Sequence, residues 1–195
     1  MKRADYYSIA YIAIFGGLWG VMEILLGNAL HVFSVPLKGS ILSAIGCIIC
    51  LVGSSFLPTK NNFPIFSMGV IAIIVRLFSF GIFKIHIFVP MFTMAIFMQG
   101  AVSLIGYNII GYMLAGVGAC LAPYISGLVF FGIILGQGFA FVNHGLLEDT
   151  NFLQHLIFAG KIAILVLLSL NVMLGMLSGT LAYYFGKKLH NLIDA

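Results

Sequence analysis

Long apolar runs are the feature of this sequence that most restricts its fold. Stretches of about 20 apolar residues follow one another between short polar connections, and one helix needs about that length to cross the hydrocarbon core of a bilayer. Only 7% of the 195 residues are charged, and the mean hydropathy is +1.17. A soluble domain carries about 25% charged residues. The sequence therefore predicts an integral membrane protein and excludes a soluble globular domain.

The apolar runs also predict the class of membrane fold. The strands of a membrane barrel would alternate apolar and polar residues in short segments, whereas these runs are unbroken. The chain is long enough for about six or seven crossings, which leaves no length for a second domain. We therefore predict an all-α polytopic bundle of about six transmembrane helices, forming a single transmembrane domain over residues 1–195. Its few basic residues form no patch for nucleic acid.

The first predicted span, residues 8–30, is expected to be retained, because it is longer than the apolar region of a signal peptide and offers no small-residue cleavage site. The further predicted spans are residues 39–57, 64–83, 87–106, 109–142 and 159–185. The fifth would be about 51 Å long as one straight helix. Pro123 and the glycine-rich stretch after it are therefore predicted either to kink the helix or to let its end fold into an outer loop.

Basic residues predict the orientation, because Lys and Arg accumulate in cytoplasmic loops. Six crossings place both termini on one side, and the basic residues on that side are Lys2, Arg3, Lys60, Lys187 and Lys188. The opposite loops hold Lys38 and Lys84, and Lys161 lies just inside the sixth span. Both termini are predicted to be cytoplasmic. The sequence shows no internal repeat, so it does not support an inverted-repeat transporter that works alone.

Two charged residues lie deep within predicted spans. Glu23 is about 22 Å into the first span and Arg76 about 18 Å into the third. Burying such a charge in a bilayer costs at least ~2.5 kcal/mol, so each is expected to face protein or water. Two interpretations stay open: a structural ion pair between Glu23 and Arg76, or a contact from one or both to a polar solute in a cavity.

Gln99 and Asn171 are polar residues near the middle of the fourth and sixth spans. Either one alone is explained by a hydrogen bond to a neighbouring helix. Together with Glu23 and Arg76 they occupy four helices at roughly middle to outer depth. This distribution predicts a converging polar pocket.

A second polar group is predicted at the helix ends opposite the termini, and it comprises His31, Lys84, His86, Asn143, His144, Glu148 and His155. Imidazole and carboxylate groups bind divalent metals, but this spacing matches no compact ligand motif, so no metal site is predicted. Cys47 and Cys50 lie inside an apolar helix and are predicted to be packing residues. The stripe of Met91, Met94 and Met98 is predicted to face the core or the lipid.

Small residues lie along one face of the first span. Ala13, Gly16, Gly17 and Gly20 share this face with Glu23. Such spacing lets two helices approach closely, either within the bundle or against another protein. The sequence contains no HExxH, GxSxG, P-loop or dinucleotide-binding motif, so no enzymatic activity and no cofactor are predicted. Energy for any active transport would come from an ion gradient or a partner.

These features resemble a known family. The size, the six spans and the segment Gly17-Leu18-Trp19-Gly20-Val21-Met22-Glu23 look like the substrate-specific S-components of energy-coupling factor (ECF) transporters. The segment from Ala13 to Gly17 and the run from Pro90 to Gly100 are also similar to the first and fourth helices of such proteins.

The resemblance implies a function and a set of partners. An S-component captures a vitamin-like micronutrient from outside the cell. It then docks, through small residues of its first helix, onto a transmembrane coupling subunit driven by two ATPase subunits. The docking residues would be Ala13 and Gly17, with Gly16 and Gly20 beside them. The N-terminal Met1-Lys2-Arg3 lacks the histidine of the nickel and cobalt members, which argues against a metal substrate.

The family's substrate pocket lies near the outer surface, with loops as lids that would correspond to residues 31–38 and 83–86. The expected substrate-binding residues are Glu23, His31, Arg76, Lys84, Gln99, His144 and Asn171. We therefore expect an ECF-type S-component in a bacterial or archaeal cytoplasmic membrane. A membrane scaffold without a solute and a small gradient-driven carrier remain the alternatives.

Overall fold

The computed structural model describes residues 3–33, 37–57, 63–79, 85–127 and 160–193. These residues form the helices α1 (Arg3–Val32), α2 (Lys38–Ser55), α3 (Pro64–Ser79), α4 (Ile85–Ile105), α5 (Ile109–Gly127) and α6 (Gly160–Ile193). No strand occurs within these ranges. The prediction of an all-α fold is confirmed.

Five of these helices, all except α3, are long and apolar enough to cross a membrane. α3 is equally apolar but has 16 residues, or about 24 Å, which is shorter than the hydrocarbon core of about 30 Å. Large apolar side chains cover the outside of the bundle, as at Phe78 and Leu104, which are 87% and 88% exposed. Such a surface suits lipid and not water. The polytopic helical bundle predicted from the sequence agrees with this architecture.

Some helix ends differ from the prediction. α1 begins at Arg3 instead of residue 8, and α6 continues to Ile193 instead of ending at residue 185. Gly186 lies inside α6, where it is a contact point: a Cβ added there would lie 2.9 Å from Ser55 Oγ on α2. α3 ends at Ser79. α5 contains Pro123, and the rest of the predicted fifth span lies outside the described residues.

α2 occupies the centre of the bundle. It packs against α1, α5 and α6 and has a smaller contact with α3, and the outer helices pack in the order α1, α3, α4, α5, α6. α2 is accordingly the most buried of the candidate spans. The end of the bundle where α1 ends and α2 begins is called the outer end here, because the charge distribution predicts it to be extracellular. The opposite end is the inner end.

Glycines allow the helices to approach at two places. Trp19 of α1 is fully buried, and its indole lies against Gly46 of α2 and Gly69 of α3. Gly175 of α6 lies against the backbone of α5, where an added Cβ would be 2.6 Å from the Gly116 carbonyl oxygen. These close contacts provide the van der Waals packing that holds membrane helices together.

A short turn at the inner end joins α4 to α5. Gly106 has a φ of 97°, and its N–H donates to the Val102 carbonyl at 2.9 Å, which is the left-handed glycine ending of a helix. Asn108 then starts α5, because its Oδ1 accepts a hydrogen bond of 2.8 Å from the Gly111 N–H. The turn places Tyr107 between the two helices at this end.

Candidate functional site

Glu23 and Arg76 form an ion pair between α1 and α3. Arg76 Nη1 donates to Glu23 Oε2 at 2.6 Å, and the side chains of Arg76 and Glu23 are only 13% and 10% exposed, respectively. Gly27 lies beside the guanidinium, since an added Cβ would be in van der Waals contact with Arg76 Nη2 at 3.8 Å. The contact predicted as a structural pair is therefore present. It leaves Arg76 Nε buried without a hydrogen-bond partner in the described part of the chain.

A second buried donor lies beside this pair. Trp19 is one helical turn before Glu23, and its Nε1 interacts electrostatically with the Glu23 carboxylate. Nε1 is buried and makes no hydrogen bond among the described residues. Two N–H donors, Trp19 Nε1 and Arg76 Nε, are thus buried without acceptors next to one carboxylate.

Asn171 belongs to a second polar cluster, which joins α2, α5 and α6. Its Nδ2 donates to Tyr124 Oη at 3.1 Å and to the Leu167 carbonyl at 2.7 Å. Tyr124 Oη is in turn 3.1 Å from Ser40 Oγ. Asn171 is only 1% exposed, and its Oδ1 has no partner within the described ranges. This cluster therefore contains a buried acceptor without a donor.

Both clusters lie at the same depth near the outer end. Ser40 of the second cluster and Leu42 are separated by about 3 Å along α2. Leu42 approaches the ion pair, because a Cβ added to Gly27 would be 3.7 Å from Leu42 Cδ1 and 3.8 Å from Arg76 Nη2. The two clusters therefore lie on different sides of the first turns of α2. We call them together the polar layer, which consists of Trp19, Glu23, Arg76, Ser40, Tyr124 and Asn171.

Gln99 is not brought into this layer. Its Oε1 accepts hydrogen bonds from the backbone N–H groups of Ile65 at 3.0 Å and Phe66 at 3.4 Å, and its Nε2 donates to Ser103 Oγ at 2.9 Å. The first N–H groups of a helix have no partner within it. Gln99 therefore caps α3 from α4 at the inner end, about 16 Å along α3 from Arg76.

The other predicted site residues have different positions. His31 is exposed in the last turn of α1, and Lys84 and His144 lie outside the described residues. Sequence reasoning missed Ser40 and Tyr124. A signal for Tyr124 exists, because the hydroxyl of a tyrosine inside an apolar helix needs a hydrogen-bond partner.

The small-residue face of α1 divides into two parts. Gly16 and Gly20 pack inside the bundle, since added Cβ atoms would lie 2.7 Å from the Met68 carbonyl oxygen and 2.8 Å from Val75 Cβ of α3. Ala13 is exposed, and a Cβ added to Gly17 would meet no described atom within 4 Å. Ala13 and Gly17 therefore face away from the described bundle.

The sulfur-containing residues form part of the core. Cys47, Cys50 and Cys120 are buried free thiols, and the predicted methionine stripe on α4 is buried as well. Among the described residues, no three His, Cys, Asp or Glu side chains come close enough to hold a metal ion. The packing role predicted for Cys47 and Cys50 agrees with their burial.

Comparison of the chain with protein-family models, curated proteins and solved structures finds no match. The interpretation of the polar layer therefore rests on its geometry. The layer offers hydrogen-bond donors on the α1–α3 side of α2 and an acceptor on its α5–α6 side. A solute that reaches both sides would have to lie across the first turn of α2 at the outer end, and it would need both acceptor and donor groups.

Proposed function

We propose that this protein is a membrane-embedded solute-binding subunit, an S-component of an ECF-type importer. The observation that carries the proposal is the polar layer with its unpartnered buried atoms at the predicted extracellular end. Leaving a buried donor or acceptor without a partner costs about 1–3 kcal/mol. A polar solute bound at this end would supply partners and recover that cost, which gives the layer a reason to exist in an otherwise apolar bundle.

The atoms of the layer indicate the class of solute. Arg76 Nε and Trp19 Nε1 require an acceptor, whereas Asn171 Oδ1 requires a donor. A small vitamin-like micronutrient with ring nitrogens, carbonyls or amides carries both kinds of group. Delivery from outside fits a cytoplasmic membrane location with both termini in the cytoplasm, which is part of the proposal.

The outward part of the α1 face supports the proposed partners. Ala13 and Gly17 leave a shallow, open surface on α1, onto which a second helix can pack closely. In the proposed importer this helix belongs to a transmembrane coupling subunit, which two ATPase subunits drive. The same surface would also serve a permanent membrane scaffold. Solute binding distinguishes the two functions, because only the importer subunit binds a solute.

A thermal-shift screen tests solute binding. The purified protein is expected to gain stability with one water-soluble vitamin, vitamin precursor or nucleobase-like compound, by about 2.7 kcal/mol at a concentration of 100 times Kd. Asn171→Ala is expected to raise the Kd for the solute at least tenfold and so to reduce this gain in stability, because it removes the unpartnered acceptor. The control is Ser178→Ala, which removes another buried polar side chain of α6, one bonded to the Gly175 carbonyl. Stabilisation by no solute would contradict the proposal and favour the scaffold.

Docking is tested by substituting the two parts of the α1 face separately. Gly17→Leu is expected to abolish uptake in cells that carry the coupling subunits, while solute binding is retained and stability changes by about 0.5 kcal/mol or less. Gly16→Leu, one residue earlier, is the control and is expected to destabilise the bundle, because its side chain would meet the backbone of α3. Uptake assays and unfolding in detergent measure both effects. Normal uptake by Gly17→Leu would show that partners do not use this surface.

A further inference from the structure

A cavity of about 220 Å³ opens at the inner end of the bundle, away from the polar layer. It lies between the end of α2, the turn from α4 to α5 and the last part of α6. Residues that line it include Ser55, Tyr107, Tyr112, Tyr183, Lys187 and His190. Lys187 and His190 are exposed and form its rim, one turn apart on α6.

Contacts among the residues of its walls give the cavity its shape before any ligand binds. The rings of Tyr112 and Tyr183 pack edge to face at 5.7 Å, and the Tyr112 hydroxyl donates to the Leu51 carbonyl at 3.2 Å. Gly186 holds α6 against α2 at Ser55. A cavity with fixed walls orders few side chains when a ligand binds, which lowers the cost of binding.

The charge of the cavity favours an anion. The C-terminus of a helix such as α2 is normally electronegative because its last carbonyls lack partners. Here the carbonyls of Leu51 and Val52 accept hydrogen bonds from the serine hydroxyls of the next turn. Those of Gly53 and Ser54 accept bonds from the backbone N–H groups that follow. The described lining contains no carboxylate, so the positive charge of Lys187 is not opposed within it.

The tyrosines supply further donors. Tyr107 lies in the turn between α4 and α5, and burial raises the pKa of its hydroxyl above the usual value. The hydroxyl therefore keeps its proton at neutral pH and remains a hydrogen-bond donor. A lysine ammonium binds phosphate as a point charge, and a phenolic hydroxyl can donate a further hydrogen bond to a phosphate oxygen.

We propose that this cavity binds a phosphate-bearing anion. Two sources offer that chemistry: the headgroup of an anionic phospholipid and a soluble phosphomonoester. The surroundings favour the lipid, because the cavity lies at the end of the candidate membrane span Leu165–Leu192, and Lys187 follows one turn after Tyr184, whose ring is exposed on the outside of the bundle. Basic pockets between helices on the cytoplasmic side are typical sites for such headgroups. This proposal is independent of the solute proposed for the outer end.

The test compares two adjacent lysines. Delipidated protein in a nonionic detergent is titrated with phosphatidylglycerol, phosphatidylcholine, glycerol phosphate or inorganic phosphate, and the shift in Tm gives the affinity. Lys187→Gln is expected to weaken phosphatidylglycerol binding about fivefold, the effect of one basic residue near an anionic headgroup. Lys188→Gln, which removes the same charge from a residue outside the cavity, is expected to leave it unchanged. Tyr107→Phe is expected to weaken binding as well.

Each outcome decides whether the cavity binds a phosphate group or which of the two sources supplies it. Stabilisation by phosphatidylglycerol but not by phosphatidylcholine, with the loss confined to Lys187→Gln and Tyr107→Phe, supports a lipid site. The same pattern with glycerol phosphate or inorganic phosphate alone supports a site for a soluble phosphate. Equal effects of Lys187→Gln and Lys188→Gln would overturn the proposal, since they would show only general attraction to the basic surface. No stabilisation by any of the four compounds would overturn it too.

Discussion

Replacing Arg76 by methionine is expected to destabilise the protein by about 3–5 kcal/mol, the usual cost of removing one partner from a buried ion pair. Arg76 Nη1 is 2.6 Å from Glu23 Oε2, and both side chains are almost fully buried. The variant would leave the Glu23 carboxylate between α1 and α3 without its counter-ion. Glu23→Leu is expected to have a similar effect, because it leaves the guanidinium unpaired. Reversible unfolding in mixed micelles measures both losses.

The double variant Glu23→Leu with Arg76→Met separates the two interpretations of the pair. If the pair has only a structural role, the apolar double replacement recovers most of the stability and still binds solute. If the pair also contacts solute, as the proposed function requires, the double variant recovers stability but loses the ligand-induced shift in Tm. Losses below about 1 kcal/mol in both single variants would contradict the buried ion pair itself, because such values are typical of exposed pairs.

Replacing Gly175 by alanine is expected to destabilise the contact between α5 and α6 by about 1–3 kcal/mol or more. The added Cβ would lie 2.6 Å from the Gly116 carbonyl oxygen and 2.6 Å from Val117 Cα, which are both backbone atoms. Backbone cannot turn away as a flexible side chain does, so the two helices would have to separate. Unfolding in detergent measures the loss of stability.

Gly100→Ala is the matched control for this prediction. It adds the same methyl group to the interior of α4, where no described atom outside the local helix lies within 4 Å. Alanine is the better helix former by about 1 kcal/mol, so this variant is expected to be neutral or slightly stabilising. Equal effects of Gly175→Ala and Gly100→Ala would show that α5 and α6 are not in backbone contact.

The predicted polar pocket shows how well the depth of a residue along its helix predicts which side chains meet. Counting residues from the start of a span placed Glu23, Arg76, Gln99 and Asn171 at comparable levels. The count gives the height of a Cα atom but not the neighbour that the side chain reaches. Gln99 extends to the start of α3 and caps it, whereas Asn171 meets Tyr124 and lies near the first turn of α2.

The small-residue face of α1 shows a similar limit for predictions from the direction in which a side chain projects. Helical periodicity put Ala13, Gly16, Gly17 and Gly20 on one broad face, which was expected to dock a partner. α3 covers only part of that face, namely Gly16 and Gly20. Periodicity defines the angle at which a residue projects, but the position of the next helix decides which of these angles is buried. The outward part, with Ala13 and Gly17, keeps its predicted role as a proposal.

The sequence by itself determined the class of the protein, the approximate spans and the presence of charges at depth, because each of these follows from the cost of exposing apolar groups to water or charged groups to lipid. Only the tertiary structure decided which polar groups meet: Glu23 with Arg76, Gln99 with the first N–H groups of α3, and Asn171 with Tyr124. It also revealed the cavity beside Lys187. The physical reason is that transfer energies act on each residue separately, whereas a hydrogen bond or a cavity depends on where two or more helices lie relative to each other.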